Sequence, residues 1–114
     1  GASGSDIRWK TNVQNITSAM DKINKLQGKT FNFCNLERKQ MGFIAQDVID
    51  VVPEVVYVDE SDENKYMFMA YDRLVALLCQ GMKEQQTIIN QQQQQIDSLT
   101  RRIGRLENLI SNQI

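Results

Sequence analysis

Histidine is absent from the 114-residue chain, which removes the Ser-His and Cys-His catalytic pairings and the commonest zinc constellations. Any hydrolytic chemistry must therefore use a different base. Cysteine is scarce. Cys34 and Cys79 lie in unlike segments, and two lone thiols without close spacing read as reduced core residues rather than a disulfide or a metal site. Charge of one sign is also lacking: 13 basic residues nearly cancel 14 acidic ones, for a formal net charge of -1. That balance gives no reason to expect nucleic acid or an acidic membrane surface as a partner. No apolar run approaches the roughly 20 residues that cross a bilayer, and no charged-then-apolar leader opens the chain. With no phosphate-cradling glycine loop and no evident metal set, a conventional enzyme acting on an external substrate is disfavoured, and no cofactor is expected.

What the chain has instead is a heptad repeat. Val75, Met82, Ile89, Ile96, Ile103 and Ile110 recur every seventh residue, and Tyr71, Leu78, Gln85, Gln92, Leu99, Leu106 and Gln113 form the complementary series. These are the a and d positions of a coiled coil, sustained over about six heptads without a proline. At 1.5 Å per residue the helix is on the order of 65 Å long. A head made from the remaining residues is too small to cover such a stripe, so another copy of the chain is the natural partner. Ile at a with Leu at d favours two parallel strands, while the polar layers at Gln85, Gln92 and Gln113 complicate that rule and set register through hydrogen bonds. Arg102 and Glu107 have the g-to-e spacing of a parallel interchain ion pair, worth only about 0.3–0.5 kcal/mol. The run Gln91 to Gln95 reads as exposed helix with Gln92 facing inward.

The residues before Tyr71 follow other patterns. Ser18-Ala19-Met20-Asp21 fits a capping box and Gly28 a helix stop, which predicts a short helix over 19–27. Lys29 to Cys34 alternates, with Phe31 and Phe33 on one face, as a strand does. Gln40 to Ile44 reads as a second strand and Ala45 to Val52 as a helix ended by Pro53. Val55 to Val58 and Lys65 to Met69 flank the acidic turn Asp59–Asn64, which misses the EF-hand spacing and reads as a solvated hairpin tip. The fold class is α+β: a small mixed head of short strands and helices, then a long C-terminal helix. The expected organisation is an arm over 1–12, a head over 13–70 and a coiled-coil helix over 71–114.

Ser5 and Lys10 stand five residues apart in Ser5-Asp6-Ile7-Arg8-Trp9-Lys10-Thr11-Asn12. Spacing alone carries no chemistry, but the segment resembles the S-D-x-R-x-K-x-N opening of the C-terminal intramolecular chaperone domain of phage endosialidases, tail fibres and neck appendages. Ile23, Leu26, Phe31 and Phe33 fall at that family's Leu-x-x-Leu and aromatic strand. Gly42-Phe43-Ile44-Ala45-Gln46-Asp47-Val48 is similar to its central block, Pro53-Glu54-Val55-Val56 follows at the expected distance, and Tyr71 to Leu78 resembles its helix start. The resemblance runs from about Ser5 to Lys83. Trp9 departs from it, standing where the family more often has a smaller aliphatic residue, and Phe33 replaces an often larger aromatic.

The resemblance implies a parallel homotrimer that helps the upstream fibre or β-helical part of its own precursor fold in register. It also implies release by a single self-cleavage, with Ser5 as nucleophile, Lys10 as general base and Gly4–Ser5 as the bond cut. The trimer core would then comprise Val75, Leu78, Met82, Gln85, Ile89, Gln92, Ile96, Leu99, Ile103, Leu106 and Ile110. Assembly would occur in the host cytoplasm, with the parent protein in the virion tail and this domain released. The main alternative is a structural trimerisation tip that is never cut. Related domains in membrane-bound transcription factors also trimerise and self-cleave, but neither a membrane span nor a basic DNA-binding region points there. Gly1-Ala2-Ser3-Gly4 is either native sequence ahead of the cut or a cloning remnant.

The dyad meets a chemical and a geometric demand. Lysine ordinarily titrates near 10.4, so a lysine base needs surroundings that favour the free amine. Burial and a nearby cation such as Arg8 act that way, and Asp6 acts against it unless Arg8 or backbone donors occupy it. Five steps of extended strand span about 16 Å, and in a helix the two side chains sit about 140° apart. Either the chain folds back between Ser5 and Lys10, or Lys10 comes from a neighbouring subunit. Asp6, Arg8 and Asn12 are candidates for positioning the scissile loop; alternatively Arg8 and Asn12 hold the arm to the head, and structural roles are favoured for both.

Overall fold

A computed structural model describes residues 2–113. Its frame is one helix, α3, running from Leu74 to Ser111 over 38 residues. No proline lies within it, and its Gln-, Leu-, Glu- and Arg-rich composition favours helix. The molecule is correspondingly elongated, with extents of 81 × 44 × 27 Å. No helix among the described residues is long and apolar enough to cross a membrane.

The head packs on the N-terminal part of α3. Helix α1, Ala19–Lys25, lies against it, and two separate antiparallel hairpins complete the head. In the first, β1 (Lys29–Phe31) pairs with β2 (Gln40–Gly42), Thr30 opposite Met41. A one-turn helix α2, Ala45–Val48, follows. In the second hairpin, β3 (Val56–Val58) pairs with β4 (Met67–Met69), Tyr57 opposite Phe68. Isolated two-stranded hairpins are marginal, so these depend on side-chain pairs such as Tyr57 with Phe68, ring centroids 6.1 Å apart, and on packing against their neighbours. The core is small: Ala19, Val48, Val52, Val55, Leu74 and Leu77, with Ile16, Ile23, Leu26 and Phe43 packed around it.

Two close approaches set the head on α3. Gly81 is buried, and a methyl group there would overlap Ile23 Cδ1, so glycine lets α1 lie directly on α3. The start of α1 is held from α3 as well. Glu84 Oε2 accepts hydrogen bonds from the amides of Ala19 at 2.7 Å and Met20 at 3.3 Å. This corrects the capping box expected at Ser18. Ser18 sits in the left-handed region, with φ 53, and its side chain makes no capping bond. A carboxylate from α3 does the work instead, satisfying orphan amides where the helix end is most positive.

Other sequence expectations are corrected in extent. Helix α1 stops at Lys25 rather than residue 27, and β1 stops at Phe31, although the Phe31 and Phe33 rings still meet edge to face at 5.4 Å. Strand β2 ends at Gly42, two residues before Ile44. Helix α2 ends at Val48 because the β-branched run Val51-Val52 leads into Pro53 and Val52 leaves helical geometry, with φ -134 and ψ 76. Pro53–Val55 then forms a 3-10 turn, so β3 begins at Val56. Strand β4 starts at Met67 rather than Lys65, which takes φ 51 in the turn. Cys34 and Cys79 are free, as expected, but exposed rather than in the core.

Tyr71 is not part of the long helix either. It opens the 3-10 turn Tyr71–Arg73, and its hydroxyl accepts the Phe43 amide at 3.1 Å. Any side chain at Gly42 would collide with that hydroxyl. Arg73 donates to the Glu54 carbonyl at 2.9 Å, pinning the start of α3 to the Pro53–Val55 turn.

The head covers the side of α3 carrying Leu74, Leu77, Gly81 and Glu84. The neighbouring heptad stripe is left bare: Val75, Leu78, Met82, Ile89, Ile96, Leu99, Ile103, Leu106 and Ile110 are all between 51% and 70% exposed, and Gln85 and Gln92 are exposed beside them. A compact monomer of 13.1 kDa exposes about 6,400 Å², whereas this chain exposes 10071 Å².

Glu84→Ala is expected to destabilise the chain by about 1–2 kcal/mol in denaturant unfolding, the usual loss for a cap. Ser18→Ala should change stability by less than about 0.5 kcal/mol. The reverse order would restore Ser18 as the cap.

Candidate functional site

The arm ahead of α1 contains one element, a 3-10 turn over Ile7–Trp9. Its sequence explains it. Asp6 has extended backbone, φ -66 and ψ 135, and its Oδ1 accepts the Arg8 amide at 2.9 Å, the local bond that makes aspartate a turn former. The amides of Trp9 and Lys10 then donate to the carbonyls of Asp6 and Ile7, both at 3.1 Å. Lys10 leaves the turn extended, with φ -119 and ψ 147. The chain thereby reverses between Ser5 and Lys10, and Lys10 Nζ donates a hydrogen bond to Ser5 Oγ at 2.6 Å. Strand and helix both hold this pair apart, whereas a single 3-10 turn brings it together within one chain.

Arg8 and Asp6 are occupied with each other. Arg8 Nη2 meets Asp6 Oδ2 at 2.8 Å and Arg8 Nε meets Oδ1 at 3.1 Å. The Arg8 side chain, and then its amide, hold the Asp6 carboxyl below its ordinary range, and Asp6 in turn raises Arg8. The two formal charges flanking the dyad therefore pair off, and Arg8 acts on the site through the turn it braces. Asn12 adopts φ 53, a left-handed conformation that asparagine tolerates well, and so bends the arm after Lys10. Gly4 lies against the indole of Trp9. Ser5 and Lys10 are both exposed in the single chain. Beyond the arm, Ile16 joins the core and Gln14, Asn15 and Ile16 run beside Ala76, Cys79 and Gln80 of α3.

Ser5, in hydrogen-bond contact with Lys10, opens the stretch of residues 5–57 that matches the family described as chaperone of endosialidase. Over these residues the chain is similar to the endosialidase-chaperone family. The match opens on Ser5 itself and closes in β3, and the family also carries a peptidase name. Two curated relatives, the long tail fiber proteins Gp37 of Enterobacteria phages K3 and T2, are each 33% identical over 85 residues. That alignment takes in 69% of this chain but only 7% and 6% of the two fibre proteins. The chain is thus similar to a chaperone family over part of its length and to a small part of phage tail fibre proteins.

Sequence reasoning named every residue of this arm but not the Trp9–Gly4 contact, and it missed Glu84 altogether. Among the described residues no cluster of His, Cys, Asp or Glu is arranged to hold a metal ion.

For the Asp6 carboxyl, an NMR pH titration is expected to give a midpoint below the ordinary value of 3.8. Because the folded value is depressed, the order that the Asp6–Arg8 clasp lends the arm is present above the ordinary value and is lost as pH falls through the midpoint. A midpoint at or above 3.8 would contradict the clasp.

Proposed function

We propose that this chain is an intramolecular chaperone module that trimerises through α3, aligns the upstream part of a phage tail fibre or spike for folding, and then cuts itself free between Gly4 and Ser5. The observation that carries the cleavage reading is the 2.6 Å hydrogen bond from Lys10 to Ser5 within the family's own motif. Support for assembly comes from the bare heptad stripe and from the excess exposed surface, which is of the size that obligate interfaces bury. Three chains is the number the family resemblance implies, and the parallel coiled coil places three arms at one end of the bundle. In this reading residues 1–12 are the arm, 13–70 the head and 71–114 the stalk. The host cytoplasm is the site of assembly, and the parent fibre belongs to the virion tail.

The chemistry follows from the dyad. With the Lys10 amine neutral, the hydrogen bond runs the other way and Ser5 Oγ–H donates to Nζ. The Oγ adds to the Gly4 carbonyl carbon while its proton passes to Lys10. Collapse of the tetrahedral adduct breaks the Gly4–Ser5 C–N bond, and the Ser5 nitrogen takes the proton back. The ester left between Gly4 and Ser5 Oγ is then hydrolysed by water, giving a Gly4 carboxylate and a free Ser5 hydroxyl and amine. The turn makes this pairing inside each chain, so assembly would act by packing neighbouring chains over the exposed arm rather than by supplying the lysine. The exposure of the dyad in one chain is also what favours the second reading, a structural tip that is never cut.

In the full-length precursor, Ser5→Ala and Lys10→Ala are each expected to abolish release of the C-terminal fragment on denaturing gels. Both variants should retain sedimentation at three times the 13.1 kDa chain mass when the module is studied alone. Release by either variant would remove the dyad from the mechanism, and a mass twice that of the chain would remove the trimer.

A further inference from the structure

Trp9 is the one tryptophan in the chain, and at 75% exposure it contributes nothing to the core. Its ring is nonetheless placed. The turn that carries Lys10 onto Ser5 carries Trp9 onto Gly4, one position earlier on each side of the reversal. A Cβ added to Gly4 would lie 2.6 Å from Trp9 Cζ3 and 3.2 Å from Cε3, inside the roughly 3.5–4.0 Å at which carbon atoms pack. At Gly28 and Gly104, by contrast, an added Cβ would meet nothing within 4 Å. Glycine at position 4 is thus matched to the indole above it, and Gly4 supplies the acyl group of the bond that Ser5 faces.

We propose that Trp9 is the residue that selects glycine ahead of the cut, capping Gly4 so that its carbonyl stays beside Ser5 Oγ. This rests on the self-cleavage reading. A larger residue at position 4 is accommodated only if the exposed indole swings into solvent, and the acyl group then loses the surface that held it. The chain can still fold with the ring displaced, because Trp9 packs on the arm and not on the head. The effect therefore falls on the rate of cutting rather than on stability.

The test compares four full-length precursors by time-resolved gel: parent, Gly4→Ala, Trp9→Ala and the double variant. Gly4→Ala is expected to slow cleavage by at least several-fold, with the roughly 10- to 200-fold that one methylene is worth in a hydrophobic pocket as the upper range, and the double variant is expected to cut at the rate of Trp9→Ala alone. Parental speed for Gly4→Ala, or an alanine penalty that persists in the Trp9→Ala background, would overturn the selective role while leaving self-cleavage intact. A parent that is never cut would overturn both. Fluorescence separates the contact from the chemistry, since Trp9 is the only tryptophan. In the 114-residue chain carrying Ser5→Ala, adding Gly4→Ala should red-shift the emission and increase acrylamide quenching, and unchanged emission and quenching would overturn the contact itself.

Discussion

The packing of α1 against one side of α3 is the constraint on which the rest of the structure depends. Gly81 permits the close approach to Ile23, and Glu84 holds the first amides of α1 from the same face of α3. Leu74 and Leu77, on that face too, close the small core with Ala19 and the valines of α2 and its following turn. Once the head is fixed there, it cannot reach the adjacent a and d stripe. A helix of 38 residues therefore projects an apolar seam that its own chain has no means to bury. That bare seam is what the proposed self-association rests on.

The arm obeys a different economy. Its geometry is local, set by an aspartate that starts a turn and an arginine that braces it, and its residues are largely exposed. Such a turn forms without help from the core, which places Ser5 against Lys10 in each chain. Asp6 and Arg8 neutralise each other in doing so, leaving the dyad flanked by a closed ion pair rather than by two opposed charges. If the proposed self-cleavage holds, each chain already has its nucleophile and base in contact, and the proposed assembly would act on the surroundings of the pair.

How much of this was legible depended on the range of the interaction. The heptads from Val75 onward announced the long helix, because a period of seven needs no tertiary information. Both hairpins and the two short helices were visible in the alternation and the breakers, though each element proved shorter, as propensity does not say where packing ends. Ser18 was misread as the cap because the group that caps α1, Glu84, lies 65 residues from Ala19, and no local pattern marks it. Tyr71 looked like a heptad position and instead serves as a hydrogen-bond acceptor for Phe43. Strand and helix geometry both separate Ser5 from Lys10 and left a fold-back or a neighbour open; the single chain shows a fold-back. The choice lay in Asp6, whose side chain turns three residues into a 3-10 reversal.

Intact-mass spectrometry of the assembled fibre and its released fragment tests the central claim most directly. The expected products are a fragment whose N-terminus is Ser5 with a free amine and an upstream product ending in the Gly4 carboxylate. A single uncut polypeptide in the mature fibre, or a fragment beginning at any residue other than Ser5, would contradict it.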